Sequence, residues 1–185
     1  MEPLATFCRQ VRARSAEHRT AIQQLMPART YGTVVGILRQ ELDSMVRVIY
    51  LLSVTERERR RDLLQKAVAN DPWLKKGQRV TDREMVELAH RLQGWTKSVY
   101  RFGCAFIHLS AFHDYAKRDP LGMIPESERL AILAHMRHYH GGPISDRPSF
   151  DELAWFLPSV FEKIASNLEH YVQGLEADKD LGDAA

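Results

Sequence analysis

Cysteine, glycine and proline are all scarce in this 185-residue chain, and each scarcity narrows what it can be. There are two cysteines, Cys8 and Cys104, each among apolar residues and with no Cys-x-x-Cys spacing. That pattern gives neither a disulfide framework nor a thiolate metal site, and nothing in it asks for an oxidising compartment. No stretch reaches 18 apolar residues without charge, so no membrane-spanning helix is expected. The first residues, MEPLATFCRQVRARS, carry an acid and no long apolar run, unlike a signal peptide. Cytoplasmic location is the resulting expectation. A net charge of +2 is too small to mark a nucleic-acid binder by itself. No window alternates with period two for long enough to suggest a sheet.

The chain does hold the ordinary globular balance of 44% hydrophobic and 27% charged residues, at a length that suits one domain. Arginine outnumbers lysine 19 to 7, a bias that suits phosphate contacts and buried ion pairs. Glycine and proline mark the breaks between helical patterns. A first helix is expected from about Leu4 to Met26, ended by Pro27. A second runs from about Tyr31 to Leu52, with Val34, Val35, Leu38, Leu42, Met45, Val46, Ile49 and Leu52 at three- and four-residue steps. Thr55 is read as the cap of a third, stopped by Asn70-Asp71-Pro72. Thr81 and Glu84 form a capping-box pattern that opens a helix running to about Arg118, with Gly94 or Gly103 as potential kinks. Further helices are expected from Pro125 to Tyr139 and from about Phe150 to Leu175, with Pro158 as a kink or restart. The fold expectation is all-α: an up-and-down bundle of five or six helices with one buried central helix. It comprises a single domain over residues 1–176 and a disordered tail over 177–185.

The segment from Val99 to Phe112 carries the functional reading. Only Arg101, His108 and Ser110 are strongly polar within it. As a helix it would be buried nearly all round. Arg101, His108, Phe112 and Tyr115 would share one stripe, with the arginine and histidine about 10 Å apart along the axis. A buried arginine needs a counter-charge, and Asp43, Glu41 and Glu162 are the candidate partners; otherwise Arg101 lines a cleft or an interface.

Four arginine–histidine pairs in the chain have a four- to six-residue gap, namely Arg12/His18, Arg83/His90, Arg101/His108 and Arg129/His135; only the third lies in an apolar helix. That pair, with FIHLSAFHDY, the Asp119-Pro120 break, MRHYH, LPSVFEKIASNLEHY and the second-helix run ELDSMVRVIYLL, resembles a divergent branch of the HEPN (higher eukaryotes and prokaryotes nucleotide-binding) domains. The resemblance covers about residues 31 to 172. Phe102 departs from it, standing where the family usually has a polar residue. The resemblance implies a four- or five-helix bundle that is usually dimeric. It further implies a metal-independent endoribonuclease, or an RNA- or nucleotide-binding module derived from one, in toxin–antitoxin or antiviral defence with a cognate antitoxin or partner protein. No cofactor is implied. His108 would assist proton transfer at the ribose 2′-hydroxyl or the leaving oxygen, and Arg101 would hold the scissile phosphate. Ser110 and Tyr115 are candidate helpers.

Other constellations point elsewhere. His113-Asp114, with His90 earlier in the chain, resembles the signature of HD-type metal phosphohydrolases, which would place a metal on His90, His113 and Asp114. His135, His138 and His140 cluster near a helix end, where imidazoles interact well with the helix dipole. Arg57, Arg59, Arg60 and Arg61 with Lys66, Lys75 and Lys76 make a local basic patch, interleaved with acids as a solvated face is. Trp95 and Trp155 read as core or interface anchors. A non-catalytic helical assembly module stands as the alternative to catalysis.

Overall fold

The computed structural model describes the backbone of residues 2–184. The chain is all-α. In order, α1 spans Glu2–Leu25, α2 Tyr31–Ser53, α3 Arg57–Ala69, α4 Asp82–Gln93, α5 Thr96–Ile107, α6 Glu126–His140, α7 Phe150–Ala154, α8 Leu157–Glu176 and α9 Leu181–Ala184. Two strands of two residues each, β1 (Leu74–Lys75) and β2 (Gln78–Arg79), pair antiparallel between α3 and α4. Lys76 and Gly77 turn this hairpin with positive φ at both positions, the geometry that a two-residue connection favours.

The central helix is α2. Val34, Leu42, Met45, Val46, Val48, Ile49, Leu51 and Leu52 are all 0% exposed. Apolar side chains that recur at three and four residues cover more than one face here, so α2 is packed by α1, α4, α5 and above all α8. The expected central helix at 99–112 is therefore corrected. α5 stops at Ile107 and buries one face only, through Thr96, Phe102, Gly103 and Phe106. Its opposite side meets solvent.

The long helix expected from Asp82 breaks where the sequence offered a break. The capping box at Thr81 forms, with the Glu84 amide donating to the Thr81 hydroxyl and the Glu84 carboxylate accepting from the Thr81 amide. Gly94 closes α4 at φ 73°, a left-handed conformation that glycine adopts without strain. After Ile107 come two 3₁₀ turns, Ala111–Asp114 and Pro120–Gly122. Thr55 does not cap α3. Glu56 occupies that position, and its side chain makes no capping bond. Pro158 restarts the chain within the first turn of α8.

Residues 178–180, within the segment read as a disordered tail, are bonded to α3. Arg60 is 3% exposed and satisfies five acceptors. Its guanidinium donates to the carbonyls of Leu52 and Val54 at the end of α2, to the Lys179 carbonyl, and to the carboxylates of Asp178 and Asp180. Arg57 bonds Asp180 as well. The basic run of α3 thus serves the protein's own C-terminal segment, and Arg59 and Lys66 are taken up by Asp62.

Candidate functional site

Arg101 stands in the second turn of α5, and the next turn brings Gly103 to face α2. The contact is close: a Cβ on Gly103 would lie 2.6 Å from the Arg39 Cβ. Seen down the helix, Arg101 lies about 160° round from Gly103, which puts it on the outward side, exposed. None of the three carboxylates considered as partners reaches it. Asp43 pairs with Arg47 at 3.0 Å, Glu41 with His18 at 2.6 Å and Glu162 with Arg19 at 2.8 Å. Among the described residues Arg101 has no ion-pair or hydrogen-bond partner. Its positive field is one of the influences that, after burial and Lys97, hold the His90 imidazole below its ordinary pKa.

His108 is the residue at which α5 ends. Its amide still donates to the Cys104 carbonyl at 3.3 Å, while its ψ of 144° turns the following chain away. The position of a Cβ is set by the backbone before ψ acts, and φ is −97°, about a third of a right angle from helical. The imidazole therefore leaves the backbone close to the direction a further helical residue would take, on the same outward side as Arg101 and about 10 Å beyond it. It too is exposed. Both groups face solvent.

The two candidate helpers do not join them. The Ser110 hydroxyl donates to the Ala105 carbonyl at 2.6 Å and accepts from the Phe112 amide at 3.2 Å, so it caps the 3₁₀ turn. Tyr115 is no longer on the α5 stripe, because the chain has left the helix at His108. Its ring packs 5.7 Å from that of Phe150 and 6.3 Å from that of Phe106, on the core side. The apolar character of the 99–112 segment comes from this aromatic cluster of Phe102, Phe106, Phe112, Tyr115 and Phe150 rather than from burial on every face.

The alternative metal set separates in the same way. His113 lies beside Phe106, with its Nδ1 3.3 Å from the Ser110 amide, and His90 belongs to α4 near His135. No group of three or more His, Cys, Asp or Glu that could hold a metal ion exists among the described residues.

The sequence reading also missed that Arg39 is buried, as Arg60 is. Arg39, 6% exposed, lies 4.3 Å over the Tyr100 ring and donates to Asp82 at 3.2 Å. Arg47 bonds both Asp43 and Asp82, and Arg14 approaches Asp43 at 3.7 Å. This chain of charges ties α1, α2 and α4 together beside a broad polar groove of about 1060 Å³. Its signal in the sequence was Arg39, Asp43 and Arg47 at four-residue steps, an alternating charged row on one helix face.

Compared with known proteins, the chain matches no family model, no curated protein and no solved structure. Its chemistry has to be argued from its own residues. An unpaired guanidinium and an exposed imidazole at the end of the same helix can hold a phosphodiester by charge and exchange a proton with a neighbouring hydroxyl.

Proposed function

We propose that this chain is a HEPN-like, up-and-down helical module that binds RNA and cleaves it without a metal, with a second copy of itself completing the site. One observation carries the proposal: Arg101 is exposed, lacks a carboxylate among the described residues, and shares the outer side of α5 with His108. In this reading Arg101 holds the scissile phosphate through charge-assisted bonds and stabilises charge as the 2′-oxygen attacks phosphorus. His108 moves a proton at the 2′-hydroxyl or at the leaving 5′-oxygen. The products are a 2′,3′-cyclic phosphate and a 5′-hydroxyl. A role in toxin–antitoxin or antiviral defence, beside a cognate partner protein, follows from the same resemblance.

The dimer has its own support. Ile107 and Leu109, which flank His108, are 45% and 96% exposed. Apolar side chains so placed gain by burial against a second protein surface. The same observation favours a second reading, a non-catalytic assembly module that uses this face only for association. The test is incubation of end-labelled RNA with the protein in EDTA, with analysis of the product termini. Cyclic-phosphate ends that disappear in Arg101→Ala support cleavage at this site. Intact RNA together with a dimer that Leu109→Asp dissociates supports the assembly module.

A further inference from the structure

A separate cavity lies between α5, α6 and α8, away from the outer side of α5. Its volume is about 70 Å³, and its walls include Val35, Leu38, Phe102, Leu157 and Val160. The polar groups around it are all potential donors. The Trp95 indole Nε1 is buried without a hydrogen-bond partner, and so is His135 Nδ1. Lys163 carries its ammonium 3.8 Å over the Tyr139 ring and 5.9 Å from that of Trp95, with no carboxylate or other acceptor among the described residues. No aspartate or glutamate lines the cavity.

Such a set is unusual for a purely structural core. Buried donors are nearly always satisfied, and an indole N–H can only donate. A lysine at the edge of an apolar cavity ordinarily finds a carboxylate. Here burial alone pulls the Lys163 ammonium below its usual pKa range, as expected of a charge without a counter-ion. Burial, ahead of neighbouring charges, lowers His135 and His140 as well, so both imidazoles favour the neutral form.

We infer that this cavity binds a small amphiphilic carboxylate, its apolar body between α5, α6 and α8 and its carboxylate on Lys163 and the Trp95 indole. The match is one of charge and of hydrogen-bond sense. A carboxylate only accepts, and the cavity offers donors and a cation. An amine would meet Lys163 as a like charge. An alcohol would satisfy fewer donors and leave the ammonium unpaired. Size limits the body. A cavity that holds benzene has about 150 Å³, so the ratio of volumes puts roughly three carbons inside about 70 Å³, and the head of a longer chain stays at the Lys163 edge.

Hexanoate is the direct probe, with hexanol and hexylamine for comparison. Each is titrated into the ¹⁵N-labelled protein while the three indole N–H signals are followed, that of Trp95 being assigned by Trp95→Phe. Saturable movement of the Trp95 signal by hexanoate, with hexanol at least ten times weaker and hexylamine without effect, is the expected result. Lys163→Gln should weaken hexanoate on the order of 10–100-fold, the worth of a charge-assisted bond, and Lys163→Arg should retain most of the binding. Equal binding of hexanol and hexanoate by the wild-type protein would overturn the inference, whatever the variants do. So would movement confined to Trp155, which is 71% exposed and lies outside the cavity wall.

Discussion

Arg60→Ala tests how the end of α2 and the C-terminal segment are held. The Arg60 side chain is 4% exposed, while its partners Asp178 and Asp180 are 65% and 35% exposed. Removing the guanidinium leaves the Leu52 and Val54 carbonyls without this donor and leaves residues 178–180 held to α3 through Arg57. Breaking a buried ion pair from one side costs about 3–5 kcal/mol. The two aspartates can rehydrate, so the lower end, about 3 kcal/mol, is expected. For a chain of this length that is a fall in melting temperature of roughly 6–12 °C. Arg60→Lys should recover only part of it, because three donors on a point charge cannot cover five acceptors in a plane. Urea unfolding supplies the assay, with the midpoint lowered and the slope unchanged. Deleting residues 178–185 gives the decisive comparison. Since three of the five Arg60 bonds go to that segment, Arg60→Ala should cost clearly less in the truncated chain than in the whole one. Equal costs in both backgrounds, or a loss below about 1 kcal/mol in the whole chain, would refute the assignment of Arg60 as the clasp.

Three further outcomes follow from the packing. Gly103→Ala places a Cβ 2.6 Å from the Arg39 Cβ, so α5 must shift from α2; a loss of about 1–3 kcal/mol is expected in thermal melts. Glu41, 0% exposed, accepts from Ser15 at 2.5 Å and lies 2.6 Å from His18 Nδ1. Glu41→Ala should cost about 3–5 kcal/mol by urea unfolding, while His18→Ala in that background should cost little more. His90, His135 and His140 have folded-state pKa values below the ordinary imidazole value of 6.5, mainly through burial. The unfolded chain therefore binds more protons in that range, and stability should be full above pH 6.5 and fall as pH drops through it. Urea midpoints from pH 7.5 to 5 check this, and Asp180, Glu162 and Glu169, held low chiefly by arginine bonds, add a second loss only at more acidic pH.

What could be read from the sequence was local. The Thr81–Glu84 capping box, the stop at Asn70 and the apolar steps of α2 depend on residues within a turn or two of one another. What escaped it depended on distance. Arg39 is buried because Asp82, 43 positions away, meets it. The tail docks because Arg60 reaches more than a hundred residues along the chain. The segment at 99–112 misled for a physical reason. Its apolar residues divide between an aromatic cluster and the exposed Ile107 and Leu109, and Ser110 competes for backbone groups and opens a new turn. For the candidate site, the sequence reading put Arg101 and His108 on a helix buried nearly all round, whereas both are exposed, and the place of Tyr115 depended on where α5 ends.

Single-turnover cleavage of RNA by His108→Ala, in EDTA and beside the wild-type protein, tests the central claim most directly. The His108 imidazole is exposed, so helicity and melting should match the wild type. The account predicts a rate about 10²–10⁴ times slower than wild type, the usual share of a general acid or base. A variant that cleaves as fast as the wild-type protein would contradict it.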